Sequence, residues 1–208
     1  MSGRVTRSRA GPRRGTIVGM AVHVDASLPV HPLTVDDLSA MVDAGILGED
    51  DRVELLDGVL VEMSPQGSTH LAAVARLTML VVPVAAAAGL VVTPRCPLDV
   101  ASPISQPEPD LAVVPAADWD AYPAQALLVI EISVTSRAID LGRKAAIYAA
   151  AGIPEYWVLD LDRRRLVVHR DPAGDRYEIV DALTDADRVT AAQLPLTMDV
   201  AEILPPRG

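Results

Sequence analysis

Two carboxylates in apolar company carry the chemical signal of this 208-residue chain. Glu131 lies inside "LLVIEISVTS", residues 127–136, where Leu127 to Ile130 read as a buried strand and only Ser133 and Thr135 are polar on the same side. An uncompensated charge in such a place costs several kcal/mol, so something must neutralise it. Residues two apart in a strand share a face, so Glu131 and Ser133 project together while Leu128, Ile130 and Ile132 face the opposite layer. Asp110 follows Pro109 and opens the apolar run before it, "LAVVP". Strands adjacent in sequence usually neighbour one another, which brings both acids to one edge of a sheet. A divalent cation compensates both charges there. Mg2+ suits oxygen ligands, keeps several waters and leaves room for a phosphate.

The elements that must position this pair can be read along the chain. "LTVDDLSAMVDAG" has Thr34 as N-cap, acids in the first turn and Gly45 as a stop, which predicts a short helix. "RVELLDGVLVEMSP" predicts two short strands turning at Asp57-Gly58. "STHLAAVARLTMLVVPVAAAAG" predicts a long helix capped by Ser68 or Thr69, ended by Gly89 and bent at Pro83. "LVVTPRCPLDV" and "PDLAVVP" predict strands flanking the Pro-rich loop "ASPISQPEP". After the Glu131 strand, "DLGRKAAIYAAAG" predicts a helix closed by Gly152, and "EYWVLDLDRRRLVVHRD" a strand pair turning at Asp162-Arg163. Short strands and loops follow. Strands mixed with flanking helices place the fold in the α/β (α+β) class.

Composition narrows the functional classes. Net charge is −10, but residues 1–20 hold Arg4, Arg7, Arg9, Arg13 and Arg14 and no acid, so the remaining 188 residues stand at about −15. A flexible basic arm, residues 1–22, is therefore expected ahead of a single domain, 23–208; Met20 is an alternative start that would make the arm an over-extended reading frame. The apolar run Leu77–Val92 is broken by Thr78, Pro83 and Gly89 and reads as a core helix rather than a membrane span. Cys96 is the single cysteine, which excludes an internal disulfide and points to a reducing cytoplasm. The histidines His23, His31, His70 and His169 lack zinc-site spacing, and no nucleophile elbow, P-loop or dinucleotide fingerprint occurs.

The order Pro109-Asp110, twenty residues, then Glu131-x-Ser133 resembles the PD-(D/E)xK nuclease superfamily, except that Ser133 stands where its motif has lysine. Lys144 offers a displaced lysine on the next helix, where Asp140, Lys144 and Tyr148 share one face. The stretches "VELLDGVLVEMSPQGSTH", "EPDLAVV" and "VIEISVTSRAIDLGRKAAIYAAAGIPEYWVLD" resemble one branch of it, the Uma-two family of restriction-type endonucleases, from about Leu33 to Leu204. The resemblance implies a restriction-endonuclease-like core: a central mixed sheet flanked by helices, with additional β-hairpins. It implies Asp110 and Glu131 as metal ligands, the Ile132 carbonyl as a further ligand, Lys144 in place of the motif lysine, and Glu54 as an additional acid of the site. His70 and Tyr148 match recurrent positions without an assigned role. The implied reaction is Mg2+-dependent phosphodiester hydrolysis, with Mn2+ as substitute, on nucleic acid and foremost DNA, with no membrane partner.

Blander readings stand beside these. Asp110 after proline suits a strand start, Glu131 an edge-strand guard, Lys144 a surface pair with Asp140, Glu54 a partner of Arg52, and His70 a helix cap. An inactive nuclease-fold binding or structural module is the alternative to an enzyme, because duplex binding normally rests on a basic surface and this body is acidic. A homodimer would answer that objection by gathering Arg137, Arg143 and Arg163 to Arg165 into a basic cleft.

Overall fold

The computed structural model describes residues 30–48, 51–116 and 121–206. The basic arm expected at residues 1–22 lies outside them. The described elements belong to one compact unit that begins at Pro32.

Thr34 and Asp37 form a reciprocal capping box that starts α1 (Val35–Asp43), and Gly45, at φ 66°, follows its end. The hairpin β1 (Val53–Leu56) and β2 (Val59–Glu62) turns at Asp57 and Gly58, both at positive φ, as a two-residue type I′ turn requires. Gly58 also has no room for a side chain: a Cβ there would meet Pro32 Cβ at 2.4 Å. Three backbone bonds fix the hairpin in place, Leu33 N to Gly58 O, Gly58 N to Ile104 O and Gln106 N to Leu55 O, at 2.9, 2.7 and 2.8 Å.

The long helix α2 (Ser68–Ala87) starts differently from expectation: Gly67 is its N-cap and no side chain caps it. By length and composition this helix is apolar enough to cross a membrane, against the reading of an interrupted run. In the fold Ala73, Leu77, Val81 and Ala85 instead pack on the sheet, because these positions recur at helical spacing on one face.

The sheet has six strands in the order β3 (Leu90–Pro94), β4 (Leu111–Pro115), β5 (Leu128–Ser133), β6 (Glu155–Asp160), β7 (Arg165–Ala173) and β8 (Arg176–Thr184). Only β5 and β6 run parallel; every other pair is antiparallel. The parallel step needs a crossover, and the chain supplies it as a π-turn (Ile139–Lys144) continuing into α3 (Ala145–Ala150), closed by Gly152 at φ 70°. Sequence periodicity predicted an uninterrupted α-helix here. A small pair, β9 (Arg188–Thr190) with β10 (Thr197–Asp199), and the unforeseen short helix α4 (Val200–Ile203) complete the described chain.

Strand alternation divides the core into two layers. Leu111, Val113, Leu128, Ile130 and Ile132 face α2 and α4. Ala112, Val114, Val129, Tyr156 and Val158 face Leu56 of the hairpin and Tyr148 of α3. This is an α/β fold with a mixed central sheet between helical layers, as the sequence predicts.

Candidate active site

Where β4 and β5 part, four elements converge on a cleft of about 370 Å3. The β4–β5 register pairs Leu111 with Ile130, and one step further places Asp110 opposite Glu131. Asp110 turns its carboxylate to the end of β5, where Oδ2 accepts the Ile132 N–H at 2.8 Å. His70, in the first turn of α2, places Nε2 3.0 Å from the same Oδ2, and Gln66 Nε2 donates to Oδ1 at 3.3 Å. The Ile132 backbone is thus committed to Asp110 through its N–H.

Glu131 points to the layer opposite Ile130 and Ile132, as strand alternation predicts, and meets the crossover. Lys144 Nζ lies 2.9 Å from Glu131 Oε1 and 2.9 Å from Glu54 Oε2, and Tyr148 OH donates to Glu131 Oε1 at 3.1 Å. Glu54 is held further by the Glu108 N–H at 3.2 Å, so its partners are Lys144 and the Pro-rich loop, not Arg52. Asp140, one π-turn before Lys144, accepts from Ser136 Oγ at 2.5 Å. Asp110, Glu54, Glu131, Asp140 and Lys144 all line the cleft and all are buried.

The electrostatics follow from one ammonium facing several acids. Burial pulls the Lys144 ammonium down, but Glu131, Glu54 and Asp140 outweigh it and hold its pKa above the ordinary lysine value. The acids share that single cation, so burial prevails for each of them. It pushes the Glu131 carboxyl well above its usual value and raises Glu54 and Asp140 as well, with Lys144 acting against the shift in every case. Burial, with Glu131 adding to it, raises Tyr148 well above the usual phenol value, which keeps it a neutral donor. The site therefore carries more buried carboxylate than it has cation to match.

That surplus and the hard-oxygen donor set fit a divalent metal. Asp110 Oδ1 receives only the long Gln66 bond, and Glu131 Oε2 has no hydrogen bond from a described residue. Among the described residues no group of three or more His, Cys, Asp or Glu side chains is arranged to hold a metal by itself. A pair of carboxylates completed by waters and a phosphate is the arrangement Mg2+ commonly takes.

The sequence reading thus finds Asp110, Glu131, Lys144 and Glu54 around one cleft, with Ile132 beside them. It left His70 and Tyr148 without roles, yet each touches one of the two central acids. It missed Gln66 and Arg52, which also line the cleft; both come from the hairpin flanks and carry no local signal. Four of the five arginines expected to gather in a dimer are engaged within the chain: Arg143 with Asp57, Arg163 and Arg165 with Asp160, and Arg164 with Asp185.

Comparison with known families matches residues 35–201 to the family Uma2, described as "Putative restriction endonuclease". No curated protein matches the chain. Among solved structures, the chain is similar to that of "a putative nuclease belonging to DUF820" from Anabaena variabilis. The TM-score is 0.62 at 14% identity, over 83% of this chain and 97% of that one. At that identity the likeness establishes the fold.

Proposed function

The chain belongs to the Uma2 family, and on that premise we propose that it is a metal-dependent endonuclease that hydrolyses phosphodiester bonds, in DNA foremost, within a reducing cytoplasm. Family membership supports nuclease function in general; the observation that carries the finer reading is the pairing of Asp110 and Glu131 in a cleft whose carboxylates exceed its cations.

Asp110 and Glu131 would hold Mg2+, or Mn2+ in its place, with the Ile132 carbonyl as an added donor. When bound, the cation would polarise the scissile phosphate and acidify a coordinated water. Lys144 stays charged at neutral pH, so it serves as an electrostatic and orienting group rather than as a base. Glu54 fixes the Lys144 ammonium from the side opposite Glu131. Tyr148 restrains Glu131 Oε1 and leaves Oε2 without a hydrogen bond from a described residue. No side chain here is required as a covalent nucleophile.

Titration of Mn2+ and Mg2+ into the purified protein and its Asp110→Ala and Glu131→Ala variants, by calorimetry and with a screen of DNA cleavage, tests this reading. Binding and cleavage by the wild type, lost in both variants while the fold is kept, is expected. Undiminished cleavage by both variants would refute it, and a wild type that takes up no metal would leave an inert scaffold.

We also propose a homodimer, on a different support from the arginines. Helix α2 exposes Leu71, Met79 and Val82, and residues 68–94 contain no Asp or Glu in a chain of net charge −10. An acid-free apolar face is where two acidic copies can meet without repulsion. A strictly monomeric protein by light scattering would remove this part of the proposal.

A further inference from the structure

A nuclease with an acidic body must hold a polyanion beside a cluster of carboxylates. Three basic side chains line the cleft: Lys144, His70 and Arg52. Lys144 is occupied by Glu54 and Glu131, and His70 by Asp110. Arg52 differs from both. Its Nε and Nη2 are buried and have no hydrogen-bond partner among the described residues. Five buried side-chain nitrogen and oxygen atoms lack partners among the described residues, and three of them belong to Arg52 and His70. Orphaned polar atoms are rare in folded proteins, and Arg52 Nε and Nη2 can only donate, so they call for an acceptor that arrives from outside.

The position of Arg52 says which acceptor. Its carbonyl takes the Met63 N–H at 2.9 Å, which pins residue 52 to the end of β2. Two residues on, Glu54 shares its face of the strand and is already neutralised by Lys144. The guanidinium therefore stands next to the carboxylate cluster without being consumed by it. Guanidinium is planar, permanently charged and weakly hydrated, and its parallel N–H groups match phosphate oxygens.

We propose that Arg52 binds a phosphate group of the nucleic-acid substrate, either the scissile one or its immediate neighbour. This rests on the nuclease reading and adds to it the contact that anchors the backbone. Arg52 would swing its orphaned N–H groups onto the phosphate as it enters. The carboxylates below would hold the metal while Arg52 holds the anion, so the cleft needs no basic surface around it.

The test compares wild type, Arg52→Gln and Arg52→Lys by fluorescence anisotropy on a labelled mixed-sequence DNA duplex. Ca2+, which suits the same oxygen donors, is present, and salt is varied. Mn2+ affinity is measured in parallel by calorimetry. Arg52→Gln should weaken duplex binding by about tenfold and lower the salt slope by about one, while binding Mn2+ at least as well as wild type. Arg52→Lys should recover the slope but only part of the affinity, since it restores charge without the fork. Unchanged duplex binding and slope in Arg52→Gln would overturn the inference, and so would a wild type that binds no duplex. If Arg52→Gln loses duplex binding while the wild type takes up no metal, the nuclease reading fails and the phosphate site stands. If Arg52→Gln behaves as wild type while Asp110→Ala abolishes cleavage, the reverse holds.

Discussion

Lys144 Nζ lies 2.9 Å from Glu131 Oε1 with both side chains buried, so an ammonium from the crossover neutralises an acid from the strand it crosses. Neither group has water to fall back on. The pair and its second acid, Glu54, stand or fall together.

Removing the cation is the sharpest probe of that dependence. Lys144→Met leaves Glu54 and Glu131 buried without their partner and should lower unfolding free energy by about 3–5 kcal/mol. Denaturant melts would show it. Mn2+ should restore part of the loss in the variant, because a second cation can take over the vacated charge. A midpoint equal to that of wild type would mean that Lys144 does not offset the burial of these acids.

The raised Glu131 carboxyl predicts a pH dependence of defined sign. In the folded state it holds its proton above the model-compound value of 4.5, where the unfolded chain has already released it. The native state thus binds more protons, and stability falls as pH rises above that value. Glu131→Gln removes this liability, so its stability relative to wild type should climb as pH rises above 4.5, by at most about 1.4 kcal/mol per pH unit. His169, which burial lowers, works in the opposite direction but cancels in this comparison. Saturating Mn2+ should flatten the climb. A difference constant across that range would contradict the assignment.

His70 should act through Asp110. With Ile132 N–H and His70 both on Oδ2, the carboxylate cannot rotate and Oδ1 alone remains for a cation. Loss of such an outer partner commonly costs about 10–100-fold in metal affinity. His70→Ala should therefore weaken Mn2+ binding within that range, and His70→Gln, which keeps an N–H donor, should recover part of it. Calorimetry in the range of native folding separates this from instability; identical affinities in all three proteins would leave His70 a packing residue.

How much of this was legible depended on whether the signal was local. Asp57-Gly58 announced its hairpin because two consecutive positive φ angles admit few residue types. Asp110 and Glu131 were legible because strand alternation and short-range pairing fix both the face and the register. The contacts that complete the site were not. His70 reaches Asp110 across 40 residues and Glu108 N–H reaches Glu54 across 54, and such meetings are set by packing of layers rather than by spacing. The capping residue of α2 was missed because Gly67 serves where Ser68 and Thr69 were equally plausible by type. The π-turn left no trace in a periodicity that α-helix describes as well.

That π-turn, Ile139–Lys144, also makes the site sensitive to chain length. A π-turn is what an α-helix becomes when it absorbs one extra residue without unravelling. A single inserted codon is thus enough to set the phase between Asp140 and Lys144, with no rebuilding of the strand that carries Glu131. The converse is a deletion. Gly142 is exposed and makes no side-chain contact, so its loss would remove no packing, only the bond its carbonyl accepts from the Ala145 N–H. It would return the turn to α geometry and rotate what precedes it by about 100° relative to Lys144. The cleft is separated from a miswired version of itself by one residue of reading length.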